Sequence, residues 1–201
     1  EMIECLVGSE MCIRDRTGAG EKAFCAGNDL KFTATGGRSS LPPSGFSGLT
    51  QRFDLEKPII AAVNGFAMGG GFETALSCDM IIASQNATFA LPEVKVGFLA
   101  AASGIQRLSR YIGRLAAQEM MFTGRSVKAD EALKIGIVNN IVPQDQLIEC
   151  ALALAQEIAS VSPSAVKATK RVLNDMALKE NLPQSLDFSR EVVEDLAKTE
   201  D

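Results

Sequence analysis

An α/β core followed by a helical C-terminal region is the fold class that the sequence predicts. Two observations support this prediction. In the first half of the chain, short apolar runs of strand length alternate with turns and with one helical segment that begins after glycines. Beyond residue 104, the apolar residues recur mostly at helical spacing. A chain of 201 residues can bury the core of one substantial domain, and the sequence contains no internal repeat.

The first half of the chain supplies most of the predicted strands. Residues 58–63 form a continuous apolar run, which is typical of a strand that is buried on both faces. Residues 64–65, Asn-Gly, then turn the chain, and three consecutive glycines lead into an apolar helix predicted over residues 72–78. Short apolar runs at residues 80–83 and 87–90 predict two further strands.

The second half is mostly helical. We predict a helix over residues 129–135, ended by Gly136, and then a strand over residues 137–142. A helix over residues 143–160 begins at a proline. A Ser-Pro pair then supplies an N-cap and a first helical position, which predicts a helix over residues 163–179.

Two segments lack a regular pattern. Residues 1–16 show neither strand alternation nor a helical stripe, so we interpret them as an atypical segment, either a poorly specified terminus or foreign sequence. Residues 33–50 are dense in Gly, Ser, Thr and Pro, which predicts a long surface loop of a kind that often covers a functional site. We therefore expect an α/β core over residues 17–142 and a helical region over residues 143–201.

The composition excludes several kinds of chemistry. Histidine is absent, which excludes Ser-His-Asp and Cys-His nucleophiles, His-ligated zinc and imidazole acid–base catalysis. The chain has 20 Lys and Arg against 25 Asp and Glu, a net charge of −5, which argues against binding to nucleic acid or to membrane surfaces. Proton transfer at neutral pH is therefore left to carboxylates, lysine, cysteine and the single tyrosine, Tyr111.

The cysteines and the apolar runs indicate a cellular setting. The five cysteines are scattered and form no CxxC pair, as is common in reducing compartments. The longest charge-free apolar stretch, residues 58–72, is too short and too interrupted for membrane insertion. We expect a soluble intracellular protein without a metal site, in a compartment that the sequence does not distinguish.

Three consecutive glycines, residues 69–71, stand between a predicted strand and a predicted helix. They suit a place where a ligand approaches bare amides, because N–H groups at a helix start stabilise an anion or a polarised carbonyl oxygen. Tight strand–helix packing explains them equally well. Glu73 follows in the first helical turn, where the helix dipole favours the ionised carboxylate, so it is either a capping charge or a general base.

Two other places combine polar side chains with apolar surroundings. A turn centred on Gly27 is followed by Asn28 and Asp29, which can bond nearby amides, although a simple strand-to-loop turn has the same pattern. Glu93 lies in an apolar stretch, either as a surface charge or as a second acid in the pocket of Glu73. Two carboxylates in one pocket raise the proton affinity of one of them, which divides acid and base roles without histidine.

One apparent nucleotide motif is discounted. Residues 18–23 match the pattern G-x-G-x-x-A, but no apolar strand is predicted before them and no helix after them. We interpret the match as a chance turn. The phosphate-loop and serine-hydrolase patterns do not occur anywhere in the chain.

Taken together, these segments resemble the crotonase superfamily, that is, the enoyl-CoA hydratase/isomerase family. The resemblance rests on GAGEKAFCAGNDLK (18–31), PIIAAVNGFAMGGGFETALSCDMIIAS (58–84), ATFALPEVKVGF (87–98) and a longer segment at 104–143, in the family's order. It covers roughly residues 17–201. Members similar to carnitinyl-CoA dehydratase resemble this chain most around its two glutamates.

The resemblance implies a core of repeated ββα units and a lyase, an enoyl-CoA hydratase, which hydrates 2-enoyl-CoA thioesters as in fatty acid β-oxidation or catalyses the reverse dehydration. The backbone N–H groups of Asn28 and Gly70 would form an oxyanion hole for the thioester oxygen, and Glu73 and Glu93 would be the catalytic glutamates. Residues implied to contact the substrate and its coenzyme A part are Ala26, Asn28, Asp29, Leu30, Lys31 and Gly70. No separate cofactor is implied, and family members form homotrimers or dimers of trimers.

The chain also departs from the family pattern. Ala100 stands where the family carries proline and Ser103 where it carries glycine, which leaves the preferred acyl group open. We expect the family's N-terminal strands and last C-terminal helix to be missing, which would impair the trimer interface or the adenine site. Alternatives are a Δ3-Δ2-enoyl-CoA isomerase, which needs one carboxylate, and an inactive acyl-CoA binder; retention of both glutamates favours hydration.

Overall fold

The computed structural model describes residues 2–7, 13–29, 31, 35, 41–179 and 194. Within these ranges, nine strands form two sheets and are accompanied by six α-helices. The strands are β1 (Met2–Val7), β2 (Ile13–Gly18), β3 (Ala23–Cys25), β4 (Ile59–Val63), β5 (Phe66–Met68), β6 (Met80–Ser84), β7 (Thr88–Ala90), β8 (Val127–Lys128) and β9 (Asn140–Val142). The helices are α1 (Gly70–Leu76), α2 (Gly104–Ile112), α3 (Arg114–Thr123), α4 (Ala129–Lys134), α5 (Leu147–Ala159) and α6 (Pro163–Lys179). Short 3₁₀ helices are Phe46–Gly48, Glu93–Val96 and Gln144–Gln146.

From β2 to β7, successive strands alternate between the two sheets. The five-stranded sheet has the order β1-β2-β4-β6-β9, and the four-stranded sheet has the order β3-β5-β7-β8. Strands β2, β4 and β6 each lead through a short connection into a strand of the other sheet. The pairs β1–β2 and β7–β8 are antiparallel and the other pairs are parallel. This arrangement confirms the predicted α/β core built from repeated ββα units.

Strand β4 is buried along its whole length, as its continuous apolar run predicts. Its side chains divide between two core clusters, because successive residues of a strand face opposite sides of a sheet. Ile59, Ala61 and Val63 join the larger cluster. Ile60 and Ala62 join a smaller cluster that includes residues of helix α5. The strand therefore links the two clusters through the sheet.

Strands β1 and β2 lie where the sequence predicts no regular element. Strand β1 pairs antiparallel with β2, and β2 pairs in parallel with β4, from Arg14 opposite Ile59 to Thr17 opposite Ala62. Strand pairing uses backbone N–H and C=O groups, which nearly every residue carries. It therefore does not require an apolar pattern of side chains that sequence reasoning could detect. The expectation that no strand precedes residue 18 is therefore wrong, whereas the foreign origin of residues 1–16 stays a prediction.

The predicted loop over residues 33–50 is described at residue 35 and from residue 41 onward. Its last part turns inward, since Leu49 and Thr50 are buried and Leu49 joins the larger core cluster. The Oγ of Ser47 lies 2.9 Å from Oγ1 of Thr74 in helix α1. The prediction of a surface loop is wrong for this part, because one apolar side chain and one hydroxyl contact attach it to the core.

The C-terminal helices follow the prediction closely. Helix α6 spans the predicted residues 163–179, and the amide of Ala165 donates a hydrogen bond of 3.4 Å to the Oγ of Ser162, as expected for an N-cap. The predicted strand over residues 137–142 is shorter, because only β9 pairs with β6. In the described part of the chain, no helix combines the length and the apolar character that crossing a membrane requires.

Candidate active site

The glycine-rich segment brings the start of helix α1 against the end of strand β3. Gly69 is the N-cap, with a φ of 52°, and its amide donates a hydrogen bond of 2.9 Å to the carbonyl oxygen of Ala90. A Cβ atom at Gly71 would collide with the carbonyl oxygen of Cys25. Close packing therefore explains Gly71. Gly70 is the first helical residue, so its N–H has no carbonyl partner within the helix.

The turn centred on Gly27 lies directly beside Gly70. A Cβ atom at Gly27 would lie 2.8 Å from the carbonyl oxygen of Met68 and 3.1 Å from the amide nitrogen of Gly70. The φ of Gly27 is 87°, which a residue with a side chain rarely adopts. Asn28 follows this residue, so the two segments that carry the predicted oxyanion-hole amides are neighbours.

The predicted coenzyme A contacts lie on the open side of the same turn. Ala26, Asn28, Asp29 and Lys31 are exposed, and the amide of Lys31 donates a hydrogen bond of 2.9 Å to Oδ1 of Asp29. Leu30 lies outside the described residues. The exposed segment is thus accessible to a bulky, charged group.

The aromatic ring of Phe46 covers Gly70. A Cβ atom at Gly70 would lie 2.8–3.2 Å from three carbon atoms of this ring. The Ser47 hydroxyl contact with Thr74 holds the neighbouring backbone on helix α1, and Thr74 in turn bonds the carbonyl oxygen of Gly70 at 2.8 Å. Sequence reasoning identified the loop as a cover but not this residue, because a single phenylalanine in a loop carries no local signal.

Glu73 is a buried acid with a neutral hydrogen-bond donor. Its side chain is in helix α1, it is 3% exposed, and its Oε1 accepts a hydrogen bond of 2.8 Å from the amide of Gly104 at the start of helix α2. The pKa of Glu73 is raised to about 8. Burial is the largest cause and the nearby Glu93 carboxylate adds to it, whereas hydrogen bonds from the backbone amides of Gly104 and Ala102 oppose the rise. The expectation that the helix dipole favours the ionised form is wrong, because desolvation is the larger effect.

Glu93 is the second carboxylate of the site. It begins the 3₁₀ helix that follows Pro92, and a Cβ atom at Gly69 would lie 2.8 Å from its Oε1. Its Oε2 is buried and has no hydrogen-bond partner among the described residues. Burial raises the pKa of Glu93 above its ordinary value. The two predicted glutamates therefore lie close enough to interact electrostatically, and the unpartnered oxygen of Glu93 is available to a bound molecule.

A cavity of about 150 Å³ lies beside Glu93. Its other walls are apolar and come from separate elements, with Leu91 and Leu99 from the chain around Glu93 and with Ile105 and Met121 from helices α2 and α3. The cavity thus combines one carboxylate with otherwise apolar walls.

Both departures from the family pattern lie near this pocket. Ala100 is buried and lines the cavity. Ser103 is buried with a φ of 94°, a conformation that glycine adopts without strain, and its Oγ accepts a hydrogen bond of 3.0 Å from Nε of Arg107. The Arg107 contact offsets part of the backbone strain at Ser103.

Three further features of the chain concern the site. The G-x-G-x-x-A match leads into strand β3 and not into a helix, so it lacks the geometry of a dinucleotide site. Within the described ranges, no group of three His, Cys, Asp or Glu side chains is arranged to hold a metal ion. The amide of Gly104, which holds Glu73, was missed because it lies 31 residues away in the sequence.

Comparison with known proteins gives consistent matches. A family model described as enoyl-CoA hydratase/isomerase matches residues 16–201. Carnitinyl-CoA dehydratase of Salmonella typhi is 49% identical over 158 residues, which are 78% of this chain and 60% of the relative, so the chain spans about 60% of that protein's length. The structure of a carnitinyl-CoA hydratase from Mycobacterium avium matches with a TM-score of 0.83 at 40% identity, over 92% of this chain and 72% of that chain. An enoyl-CoA hydratase from Bacillus anthracis matches with a TM-score of 0.73 at 39% identity, over 92% and 72% of the two chains.

Proposed function

Because the chain belongs to the enoyl-CoA hydratase/isomerase family, we propose that it adds water across the C2=C3 bond of 2-enoyl-CoA thioesters or removes water in the reverse reaction. The observation that carries the proposal is that the carboxyl groups of Glu73 and Glu93 interact electrostatically beside the start of helix α1. The names of the relatives from Salmonella typhi and Mycobacterium avium support a hydratase or dehydratase. The reaction needs no metal and no separate cofactor, since coenzyme A is part of the substrate.

The oxyanion hole would stabilise the charge that develops on the thioester oxygen. When water attacks C3, the π electrons of the C2=C3 bond move toward the carbonyl group and form an enolate. We assign the two donors to the N–H groups of Asn28 and Gly70, whose segments are in contact through Gly27. Each such donor typically contributes about 3–4 kcal/mol to stabilisation of the transition state.

The two glutamates would share one proton. In hydration, ionised Glu73 takes a proton from the attacking water, the water oxygen bonds to C3, and protonated Glu93 delivers its proton to C2. In dehydration, protonated Glu73 gives its proton to the departing hydroxyl group, and ionised Glu93 removes the proton from C2. The raised pKa of Glu73, about 8, favours its protonated form at neutral pH, which is the form that gives a proton to the departing hydroxyl group in dehydration.

The exposed turn would bind the coenzyme A part. Ala26, Asp29, Leu30 and Lys31 occupy the positions that contact coenzyme A in the family, and Lys31 supplies a positive charge for its phosphates. We also propose that the protein assembles as a homotrimer or a dimer of trimers, as family members do, and that it works inside the cell. Analytical ultracentrifugation tests the assembly directly.

Turnover of crotonyl-CoA tests the catalytic assignment. We expect Glu73→Gln and Glu93→Gln each to lower kcat by about 10²–10⁴-fold, because each removes a group that transfers a proton. Glu149→Gln, an exposed position on helix α5, is the matched control and should retain turnover. Near-normal rates in both site variants would disprove the assignment.

A second substrate separates the alternative activities. A 3-enoyl-CoA thioester that is converted to the 2-enoyl isomer faster than crotonyl-CoA is hydrated would favour an isomerase. Saturable binding of acyl-CoA without turnover of either substrate, in a fully assembled oligomer, would favour an inactive binder.

A further inference from the structure

Helix α2 begins at a residue whose backbone conformation is unfavourable for its type. Ser103 is the N-cap residue, with a φ of 94° and a ψ of 1°, in the left-handed region that residues with a side chain rarely adopt. Within the described helix its hydroxyl group caps no amide, so the usual reason for a serine at this position does not apply. The conformation of Ser103 therefore requires support from elsewhere in the fold.

The backbone of Ser103 determines where the amide of Gly104 points. The N–H of Gly104 belongs to the planar peptide unit that follows Ser103, so rotation about the Ser103 backbone turns this unit directly. In the structure the N–H donates a hydrogen bond of 2.8 Å to Oε1 of Glu73. The approach is close, because a Cβ atom at Gly104 would lie 2.9 Å from the same carboxylate oxygen. A change in the Ser103 backbone would therefore withdraw a hydrogen-bond donor from Glu73.

Arg107 supplies support for Ser103. It lies one turn further along helix α2, and its amide donates a hydrogen bond of 2.9 Å to the carbonyl oxygen of Ser103. Its side chain reaches back to the same residue, where Nε donates a hydrogen bond of 3.0 Å to Oγ of Ser103. On another side, Oγ of Ser77 lies 3.5 Å from Oγ of Ser103. The hydroxyl group of Ser103 is thus held by contacts within the fold and not by the helix that it begins.

The guanidinium group of Arg107 is itself fixed by the segment that follows Phe46. It lies over the ring of Phe53, 5.4 Å from the ring centroid, in a cation–π contact. Its Nη2 lies 3.5 Å from the carbonyl oxygen of Thr50. A planar guanidinium group with several donors can make these contacts together with the bond to Ser103. The segment that covers the site and the turn that holds Glu73 therefore meet at Arg107.

We propose that Arg107 is a positioning residue for the hydration and dehydration reactions. By holding the hydroxyl group of Ser103, it keeps the turn at residues 102–104 in the conformation that directs the amide of Gly104 to Glu73. This role rests on the proposed hydratase function and adds a residue to its machinery. It is particular to this chain, because Ser103 stands where the family carries glycine, which adopts the left-handed conformation without support.

Two substitutions at Ser103 separate the backbone conformation from the hydroxyl contact. Ser103→Ala and Ser103→Gly both remove the acceptor for Arg107, but only glycine adopts the left-handed conformation freely. Ser103→Ala should therefore weaken the hydrogen bond from Gly104 to Glu73, and Ser103→Gly should retain it. Arg107→Met should act like Ser103→Ala. Combining Arg107→Met with Ser103→Gly should restore the hydrogen bond.

The measurement is a titration of Glu73 by NMR, in protein that carries carbon-13 at the glutamate carboxyl groups. The Glu73 signal is the one that is absent from Glu73→Gln. Loss of the Gly104 donor disfavours the ionised carboxylate, so the titration midpoint should move to higher pH by about 0.5–1 pH unit in Ser103→Ala and in Arg107→Met. The titratable group that faces Glu73, the carboxyl group of Glu93, stays in place in every variant.

The outcomes decide between a positioning role and other roles. Unmoved midpoints in both Ser103→Ala and Arg107→Met would overturn the proposal. An equal rise in Ser103→Gly, or an equal rise from Arg107→Met with serine or glycine at position 103, would also overturn it, because the backbone of Ser103 would then not carry the effect. If Arg107→Met fails to fold, the two Ser103 variants decide alone. Arg171→Met, at an exposed position of helix α6, is the matched control and should leave the midpoint unchanged.

Turnover of crotonyl-CoA gives a second readout. The alkaline limb of the pH profile of kcat reports the carboxyl group with the higher pKa, which we assign to Glu73 because it is more deeply buried than Glu93. This limb should move to higher pH in Arg107→Met, with little change in KM. A loss of kcat that is uniform at every pH, with an unmoved NMR midpoint, would indicate a structural role alone and overturn the proposal.

The two readouts also distinguish failure of the positioning role from failure of the reaction. The NMR titration does not depend on turnover. A raised midpoint in Arg107→Met, in a protein whose wild type does not hydrate crotonyl-CoA, would support the action of Arg107 on Glu73 and disprove the hydratase function. Hydration by the wild type with unmoved midpoints in the variants would do the opposite.

Discussion

Helix α6 and the candidate active site both hold ionisable side chains against the core, but the two places differ in how these side chains are paired. At helix α6, Nζ of Lys170 lies 2.7 Å from Oδ2 of Asp79 and 2.6 Å from the carbonyl oxygen of Lys57. The same Asp79 oxygen accepts a hydrogen bond of 2.7 Å from the amide of Ile59. At the active site, Glu73 has a neutral amide donor and a second carboxylate nearby, and one oxygen of Glu93 has no partner among the described residues.

The difference shows which buried charges serve stability. Paired and hydrogen-bonded charges fix the position of an element, because any shift would leave a charge without compensation. Unpaired carboxylates cost stability, and they persist where the chemistry needs a group that readily changes its protonation state. We therefore expect opposite effects on stability from substitution in the anchor of helix α6, formed by Lys170 and Asp79, and from substitution in the glutamate pair.

The largest expected effect is the pH dependence of stability caused by Glu73. Its pKa is raised from about 4.5 in the unfolded chain to about 8 in the folded one, so the folded state binds more protons between these values. The contribution of protonated Glu73 to the free energy of unfolding is complete below pH 4.5. It is lost as the pH rises from there to 8, by roughly 1.4 kcal/mol per pH unit. Glu73→Gln keeps an oxygen acceptor for the Gly104 amide and should remove this loss.

The measurement is the free energy of unfolding in urea at pH 5, 6, 7 and 8. Glu73→Gln should be increasingly more stable than the wild type toward pH 8, although it loses turnover. Parallel pH profiles for the two proteins would show that Glu73 ionises in the folded state as it does in the unfolded chain. Glu149→Gln serves as the control, since this exposed side chain should leave the pH dependence unaltered.

The next largest effect tests the anchor of helix α6. Lys170→Met leaves the Asp79 carboxylate with the amide donor of Ile59 but without its cation, and should lower the free energy of unfolding by about 2–3 kcal/mol. Arg171→Met, at the next and exposed position, should change it by less than about 0.5 kcal/mol. A similar loss of unfolding free energy in both variants would attribute the stabilisation to general surface charge. Lys170→Met should keep its kcat per folded molecule, since it lies outside the proposed catalytic groups.

The smallest effect concerns the cover of the active site. Phe46→Ala removes the ring that lies over Gly70 and admits water to the proposed oxyanion-hole amide, which weakens its hydrogen bond to the thioester oxygen. We expect kcat to fall about tenfold with little change in KM, and Phe46→Leu, which keeps an apolar cover, to retain most of the rate. A loss in Phe46→Ala that appears only in KM would indicate a role in substrate binding alone.

A spectroscopic signal separates this role from a structural one. A conjugated thioester such as cinnamoyl-CoA absorbs at longer wavelength when its carbonyl group is polarised by hydrogen bonds. The shift on binding should be smaller in Phe46→Ala than in the wild type or in Phe46→Leu. Equal shifts in all three proteins would contradict shielding of the amide by the ring.

The sequence by itself determined the elements whose patterns are local. The apolar run of strand β4, the capped start of helix α6 and the glycines before helix α1 each depend on residues within one turn or one strand. Both glutamates were also identified as candidates, because an acid in an apolar stretch is visible in the sequence itself. The chance turn at residues 18–23 was recognised because no helix follows it, although strand β2 precedes it.

The tertiary structure alone decided how these parts act. It brought the Gly104 amide to Glu73 across 31 residues, set the carbonyl oxygen of Cys25 against Gly71, and placed Phe46 over Gly70. It also raised the pKa of Glu73, although the local helix dipole alone would lower it. Desolvation is the larger effect, and it depends on every distant segment that excludes water from the carboxyl group. Local patterns fix secondary structure and candidate residues, whereas burial and long-range contacts fix protonation, and these are properties of the folded chain.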